Sequence, residues 1–149
     1  MLRLQAALSF DYTPASMKRI VFDLDGTLTY DEPGQPYASR KLRPEMRRLL
    51  LDYKEKGFTI IIASSRNMRT HGCSVGLINA KTLPGMFEWL EKHDIPFDEI
   101  HVGKPWCGEE GFYVDDKAIR PSELRDLSYE EIRTLLAREA TVAREEADG

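Results

Sequence analysis

The sequence predicts an α/β fold in which a Rossmann-like parallel sheet is flanked by helices. Short apolar runs of strand type alternate along the chain with segments of helical periodicity, and the apolar runs stop abruptly at polar residues. Strands that alternate with helices pair in parallel through right-handed crossovers. With 149 residues, of which 42% are hydrophobic, the chain has the size and composition of a single domain with one core.

The first strand is predicted at about Arg19 to Phe22 and the first helix after Pro44. Pro44 suits the first turn of a helix, and Gly57 suits its C-terminal end. The next strand is predicted in the continuous apolar run from Phe58 to Ala63. One face of the helix collects four apolar side chains: Met46, Leu49, Leu50 and Tyr53.

Four further elements complete the pattern. A second helix is predicted from about Thr82 to His93, and strands are predicted at Ile100 to Val102 and at Gly111 to Val114. A last helix begins near Ser128, because Ser128 and Glu131 have the spacing of a capping box. Its apolar face is predicted to comprise Tyr129, Ile132, Leu135 and Leu136.

The chain therefore divides into a core and two ends. Residues 1–17 show no periodicity and are interpreted as an N-terminal extension, flexible or outside the fold; residues 18–127 form the core. Residues 128–149 form a helix whose apolar face serves packing or a homo-oligomer contact. No apolar run is long enough to span a membrane, and the N-terminus lacks a convincing secretion signal, so we expect a cytoplasmic protein with Cys73 and Cys107 reduced.

Polar side chains follow each predicted strand: Asp23, Ser64, Lys104 and Asp115. The carboxyl ends of parallel strands meet at one edge of a sheet, where ligands bind in such folds. Asp23 and Asp25 are alternate residues and could converge there, whereas an isolated Asp-Gly pair is more often only turn chemistry. Two adjacent carboxylates call for a metal cation, a shared proton or a basic neighbour.

The element Asp23-Leu24-Asp25-Gly26-Thr27, followed by Ser64, Lys104 and the pair Asp115-Asp116, resembles the haloacid dehalogenase superfamily of phosphotransferases. The resemblance covers about Lys18 to Glu123. Many members carry an inserted cap domain. Here residues 29–44 are too few for a helical cap and residues 68–100 are mostly taken by a loop and one helix, which predicts a capless member.

The resemblance implies a phosphomonoesterase that acts through an aspartyl-phosphate. Asp23 would attack phosphorus, and Asp25 would protonate the leaving oxygen and later deprotonate water. Lys104 would bridge Asp23 and the phosphate, and Ser64 would donate to a phosphoryl oxygen. Magnesium would be the cofactor, with Asp23, the backbone carbonyl of Asp25 and Asp115 as ligands, and with Asp116 as either an outer group or the ligand itself.

Three segments, at residues 64–68, 104–107 and 111–121, also resemble small phosphatases of capsule and surface-polysaccharide biosynthesis. This narrower resemblance implies a sugar phosphate or a related small metabolite as substrate. For four of the candidate substrate-binding residues an alternative interpretation stays open, in which they are loop residues that pair with surface carboxylates. These four are Arg66, Asn67, Lys117 and Arg120. The candidate substrate-binding residues are Thr27, Ser65, Arg66, Asn67, Lys117 and Arg120.

Other functions stay open. A basic cluster, defined as Arg40, Lys41, Arg43, Arg47 and Arg48, is the local support for a nucleic-acid 3′-end phosphatase, although the net charge of −4 makes a nucleic-acid partner the less favoured hypothesis. A non-catalytic phosphate-binding module is the alternative outside enzymology. No GxxxxGK loop supports a kinase. The residues His71, Cys73 and Cys107 are weak candidates for a zinc site.

Overall fold

Three parallel strands form the sheet of the computed structural model, which describes residues 18–149. They are β1 (Arg19–Asp23), β2 (Thr59–Ser64) and β3 (Glu99–Val102), in the spatial order β1-β2-β3. Phe22 lies opposite Ile62, and Ile62 lies opposite Ile100. The predicted α/β class with a parallel sheet is confirmed. The predicted N-terminal extension, residues 1–17, lies outside the described residues.

Five helices accompany these strands within the described part of the chain. The connection from β1 to α1 contains only a 3-10 turn at Tyr37–Ser39 and an isolated bridge between Thr29 and Leu42, so no large cap is inserted there. None of the helices within residues 18–149 combines the length and apolar character needed to cross a bilayer. The helices are α1 (Pro44–Glu55), α2 (Val75–Lys81), α3 (Leu83–Lys92), α4 (Pro121–Asp126) and α5 (Tyr129–Asp148).

Helix α1 follows the sequence prediction closely. It begins at Pro44, and Gly57, with a φ of 84°, follows its C-terminal end. Its predicted apolar face is buried against β1 and β2 in the hydrophobic core, as expected for a helix that covers a parallel sheet. The buried residues of α1 are Met46, Leu49, Leu50 and Tyr53.

Helix α3 also matches its predicted range within one residue at each end. The sequence predicts Met86, Phe87 and Leu90 as the apolar residues of this helix. Met86 and Leu90 are fully buried, but Phe87 is 42% exposed and stacks on Phe97. Trp89 takes the third core position instead. Helix α2 was not predicted, because Gly76 and the short length of the segment masked its helical pattern.

The strand predicted at Gly111 to Val114 is wrong. The segment has no regular structure, and Val114 is 88% exposed. The Tyr113 hydroxyl donates a hydrogen bond to the carbonyl oxygen of Pro105, which holds the segment as a loop beside the end of β3. A short apolar run can be read as a strand only when a neighbour pairs with it, and the sequence does not reveal the neighbour.

Helix α5 begins as predicted with a capping box. The Ser128 hydroxyl accepts from the backbone N–H of Glu131, and the Glu131 carboxylate accepts from that of Ser128 at 2.7 Å. Ile132 is buried, and Tyr129 and Leu136 pack against the core. After Leu136 every residue of the helix is exposed, so the predicted packing role applies to its first two turns.

The Asp98 side chain links β2 by a hydrogen bond to the segment that leads into β3. Its carboxylate accepts from the backbone N–H of Ile60 at 2.7 Å and from Lys54, and the Ile60 hydrogen bond holds the Asp98 pKa below its usual value. We expect Asp98→Ala to lower the free energy of unfolding by roughly 1–3 kcal/mol, because the Ile60 N–H loses its partner. Urea unfolding at pH 7 measures this.

The pH dependence follows from the lowered pKa of Asp98. Its stabilising contribution is present above the carboxyl's usual pKa and is lost as the pH falls through the lower folded value. Asp98→Asn keeps an oxygen for Ile60 but cannot ionise, so it should lose less stability than the alanine variant and show a flatter acid limb. Equal acid limbs in the Asn variant and the parent protein would contradict this assignment.

Candidate active site

The chain turns sharply where β1 ends, and this turn carries both predicted carboxylates. The carbonyl oxygen of Leu24 accepts from the backbone N–H groups of Leu28 and Thr29, at 2.9 and 3.2 Å. Gly26 has a φ of 80°, which glycine adopts without strain, and a Cβ there would lie 3.3 Å from the Asp31 carboxylate. The turn therefore needs glycine between the carboxylates and the loop that follows.

Asp23 lies at the carboxyl end of β1 with a lysine beside it. Its Oδ1 is 3.4 Å from Lys104 Nζ, and its Oδ2 is 3.4 Å from the Thr27 hydroxyl. The side chain is 32% exposed, so a ligand can reach it. Burial raises the pKa of the Asp23 carboxyl above its usual value, and Lys104 opposes the rise without cancelling it.

Lys104 reaches Asp23 because β3 ends two residues earlier, at Val102. Gly103 has a φ of 77° and turns the chain, and the backbone N–H of Lys104 donates to the Ser64 carbonyl at 3.1 Å. The ammonium group also lies 4.4 Å from the centre of the Tyr113 ring. The predicted meeting of Asp23 and Lys104 at one edge of the sheet is therefore observed.

Ser64 is the last residue of β2 and is almost fully buried. Its hydroxyl oxygen accepts from the backbone N–H of Arg66 at 3.0 Å. That contact uses a lone pair and leaves the hydroxyl hydrogen available as a donor. Ser64 thus lies in the central strand of the sheet, at the same edge as Asp23 and Lys104.

Asp25 is held by two guanidinium groups. Arg66 is 5% exposed and donates from Nε to Oδ2 at 2.9 Å and from Nη2 to Oδ1 at 2.7 Å. Arg40 Nη1 lies 3.0 Å from the same Oδ1. This two-point contact fixes both the position and the plane of the carboxylate. The sequence had assigned Arg66 only to substrate binding.

The sequence did not single out three other members of this group. Arg40 also pairs with Asp31 at 2.8 Å, and the guanidinium carbons of Arg40 and Arg66 each lie 4.3 Å from the centre of the Tyr37 ring. Arg40 was visible only as part of the basic cluster. Tyr37 and Asp31 carried no signal, because their role depends on how the loop after β1 folds back.

The basic cluster is mostly occupied by contacts within the chain. Besides Arg40, Arg43 donates to the Gly26 carbonyl, Arg47 donates to the His93 carbonyl, and Arg48 pairs with Asp52. The interpretation of the cluster as local support for a nucleic-acid phosphatase did not take these partners into account. Four of its five residues therefore make contacts that stabilise the loop after β1 and the helices α1 and α3.

Asp115 and Asp116 lie in the exposed loop that replaces the predicted fourth strand. The Asp115 carboxylate accepts from the backbone N–H of Lys117 at 2.7 Å. Within residues 18–149 no group of three or more His, Cys, Asp or Glu side chains could hold a metal ion, and this includes the weak zinc candidates His71, Cys73 and Cys107. Both cysteines are free. The structure thus brings Asp23 and Asp25 together but not the acidic pair.

The other candidate substrate residues fall into two sets. Thr27 contacts Asp23, and Ser65 and Asn67 follow Ser64 in the turn after β2, where Asn67 has a φ of 60° and donates to the Thr82 hydroxyl at 2.8 Å. Lys117 and Arg120 are exposed, and Arg120 precedes α4. The first set borders the site directly, and the second lies on the loop with Asp115.

Comparison with known proteins gives one family match. The family model of the haloacid dehalogenase-like hydrolases matches residues 20–83, which carry Asp23, Asp25 and Ser64 but neither Lys104 nor Asp115. No curated protein gives a significant match to the chain.

Solved structures give a stronger match. A crystal structure of a target protein from Vibrio cholerae is 49% identical, with a TM-score of 0.79, and the match covers 83% of this chain and 99% of that one. A chain of the Pnkp1/Rnl/Hen1 RNA repair complex is 22% identical, with a TM-score of 0.43, over 57% of this chain and 25% of that one. The last likeness is too distant to carry an argument about function.

Proposed function

Since the chain belongs to the haloacid dehalogenase-like hydrolases, we propose that it is a magnesium-dependent phosphomonoesterase acting on a small phosphorylated metabolite. The observation that carries the proposal is the pair of carboxylates after β1, each with its own cationic partner. Asp23 faces Lys104, and Asp25 is clamped by Arg66. Two neighbouring carboxylates in different surroundings suit two different tasks.

Asp23 is the proposed nucleophile. Its Oδ attacks the substrate phosphorus, the new P–O bond forms as the bond to the leaving oxygen breaks, and Asp25 gives that oxygen its proton. Asp25 then takes a proton from water, the water oxygen attacks phosphorus, and the bond to Asp23 breaks. Asp23 and Asp25 return to their starting forms, and inorganic phosphate leaves.

Lys104 and Ser64 would stabilise the transferring group. Phosphoryl transfer spreads negative charge over three oxygens, and a lysine beside the nucleophile attracts that charge to the edge of the sheet. The Ser64 hydroxyl has a hydrogen to donate, because its contact with Arg66 uses only a lone pair. Arg66 acts on Asp25 and is a positioning residue.

Magnesium suits the donors at the end of β1. Mg²⁺ prefers oxygen ligands and keeps several waters, and Asp23 is a partly buried carboxylate whose pKa is raised because Lys104 does not fully offset its loss of hydration. Asp23 and the backbone carbonyl of Asp25 are the proposed ligands at the end of β1. Asp115, or Asp116 in its place, would join them only after its loop moves to the sheet edge, because the structure does not bring the acidic pair to Asp23. A bound cation would neutralise the phosphoryl charge.

A sugar phosphate or a related metabolite is the proposed substrate class. The absence of a large cap leaves the edge of the sheet open, and polar side chains surround it. The test is phosphate release from a panel of sugar phosphates, nucleotides and 3′-phosphorylated oligonucleotides with Mg²⁺. Release from none of them would reject the proposal. Release mainly from the oligonucleotides would favour a nucleic-acid end phosphatase instead.

Metal removal gives a direct prediction. We expect EDTA to abolish phosphate release and excess Mg²⁺ to restore it, because without the cation the negative charge of the transition state is not neutralised. Asp115→Asn should raise the Mg²⁺ concentration for half-maximal rate about tenfold, whereas Asp116→Asn should raise it less. Titration of the rate with Mg²⁺ measures both. The reverse order would assign the ligand to Asp116.

A further inference from the structure

A cleft of about 380 Å³ lies between the 3-10 turn after β1 and the helices α2 and α3. Arg66 lines it on one side, and the same guanidinium clamps Asp25. Tyr37 and Trp89 also line it, and the Trp89 indole N–H donates to the Arg40 carbonyl at 2.9 Å, which ties the turn to α3. The cleft is therefore fixed in place by the residues that hold Asp25.

The cleft carries an excess of positive charge beyond Arg66. Lys81 and Lys92 line it, and Glu88 is its one acidic lining residue. Within residues 18–149 neither lysine makes an ion pair. Residues 82 to 92 of the lining helix rise about 15 Å at 1.5 Å per residue, so the cationic groups are spread along the cleft.

The cleft lies beside the residues that the leaving group of the substrate would pass. In the proposed mechanism Asp25 protonates the leaving oxygen, so the leaving group must pass beside Asp25. Arg66 donates to Asp25 and also lines the cleft. A leaving group that extends past Arg66 enters the cleft and meets Lys81 and Lys92.

We propose that the leaving group of the substrate carries a second anionic group, which the combined positive charge of Lys81 and Lys92 attracts into this cleft. The inference rests on the proposed phosphatase function and narrows its substrate class to phosphomonoesters with a distal carboxylate or phosphate. Two lysines without ion-pair partners supply the attraction, and the cleft has room for a small metabolite. The Glu88 carboxylate repels an anion and so weakens this attraction.

The test uses two six-carbon phosphates that differ at one carbon. Sorbitol 6-phosphate ends in a neutral CH₂OH group, and 6-phosphogluconate ends there in a carboxylate. Each is measured as a competitive inhibitor of p-nitrophenyl phosphate hydrolysis, which works whether or not it is itself hydrolysed. We expect 6-phosphogluconate to inhibit about tenfold more tightly, and the ratio to fall at high salt because the attraction is screened.

Variants assign the difference to the cleft. Lys81→Ala and Lys92→Ala should each reduce the preference for 6-phosphogluconate severalfold, and Glu88→Gln should increase it. Lys56→Ala is the control, because Lys56 precedes β2 at the opposite end of the sheet. Lys56→Ala should change neither this preference nor the kcat of p-nitrophenyl phosphate.

The outcomes separate this inference from the function on which it rests. Equal inhibition by the two sugars, or a preference that survives in both lysine variants, overturns the inference while hydrolysis of p-nitrophenyl phosphate upholds the function. No hydrolysis of any phosphomonoester with Mg²⁺ overturns the function and the inference together. A preference lost only in the lysine variants supports both.

Discussion

Asp23→Asn should lower kcat for phosphate release by at least about a thousandfold. The variant keeps the size of the side chain but has no carboxylate to attack phosphorus, so the covalent route is closed. Steady-state phosphate release with Mg²⁺ on p-nitrophenyl phosphate measures the loss. Transfer of ³²P from a labelled substrate to the protein, trapped by acid, should appear in the parent and be absent from the variant.

The same substitution should not destabilise the fold. Burial raises the pKa of Asp23, so the folded protein favours the protonated carboxyl more than the unfolded chain does. The ionised carboxylate at neutral pH therefore destabilises the fold. A raised folded pKa means that the stabilising contribution is complete below the unfolded pKa and is lost as the pH rises through the folded value. In EDTA, Asp23→Asn should therefore match the parent's Tm at low pH and exceed it at neutral pH.

Two results would contradict these expectations for Asp23. A rate within tenfold of the parent would exclude Asp23 as the nucleophile. A lower Tm at neutral pH in EDTA would mean that the Lys104 contact outweighs the loss of hydration. Thr27→Val is the matched control for the fold, because it removes the 3.4 Å hydroxyl contact with Asp23 but keeps the carboxylate.

The sequence predicted those parts of the molecule that are determined by residues close together in the chain. Helix α1 followed from the spacing of its apolar residues between Pro44 and Gly57, and the start of α5 followed from the capping box of Ser128 and Glu131. The meeting of Asp23 and Lys104 also followed, because the carboxyl ends of the parallel strands of one sheet lie at the same edge.

The parts that failed depend on contacts between distant segments. The strand predicted at Gly111 to Val114 had the right composition, but a strand exists only with a partner, and no pairing is formed there. The predicted place of Asp115 at the sheet edge depended on that strand. The contact between Arg66 and Asp25 joins residues 41 positions apart, and it requires the turn after β2 to direct a buried guanidinium across the sheet edge.

Arg66→Ala should lower kcat for sorbitol 6-phosphate about a hundredfold. Arg66 holds Asp25 at both oxygens, and a misplacement of about 1 Å in a catalytic group can reduce the rate by this factor. In a single turnover, the loss in the rate of phosphoenzyme formation should be much smaller for p-nitrophenyl phosphate, because its phenolate leaves without a proton. Asp25→Asn should show the same dependence on the leaving group and gives the benchmark.

A lysine at position 66 separates charge from geometry. Arg66→Lys restores one positive charge to the buried site but cannot make the two-point contact. We expect it to recover thermal stability relative to Arg66→Ala while the rate on sorbitol 6-phosphate stays low. Arg48→Ala is the control, because Arg48 pairs with Asp52 on the exposed face of α1, and it should leave both rates unchanged.

The leaving-group dependence distinguishes positioning of the proton donor from a general loss of structure. If Arg66→Ala lost the same factor in phosphoenzyme formation from both substrates while its circular dichroism matched the parent, Arg66 would act on the phosphoryl group rather than through Asp25. If Arg66→Lys restored the alkyl rate in full, charge alone would suffice and the two-point geometry would be irrelevant. A selective loss on the alkyl phosphate in both variants places the effect of Arg66 on proton transfer by Asp25.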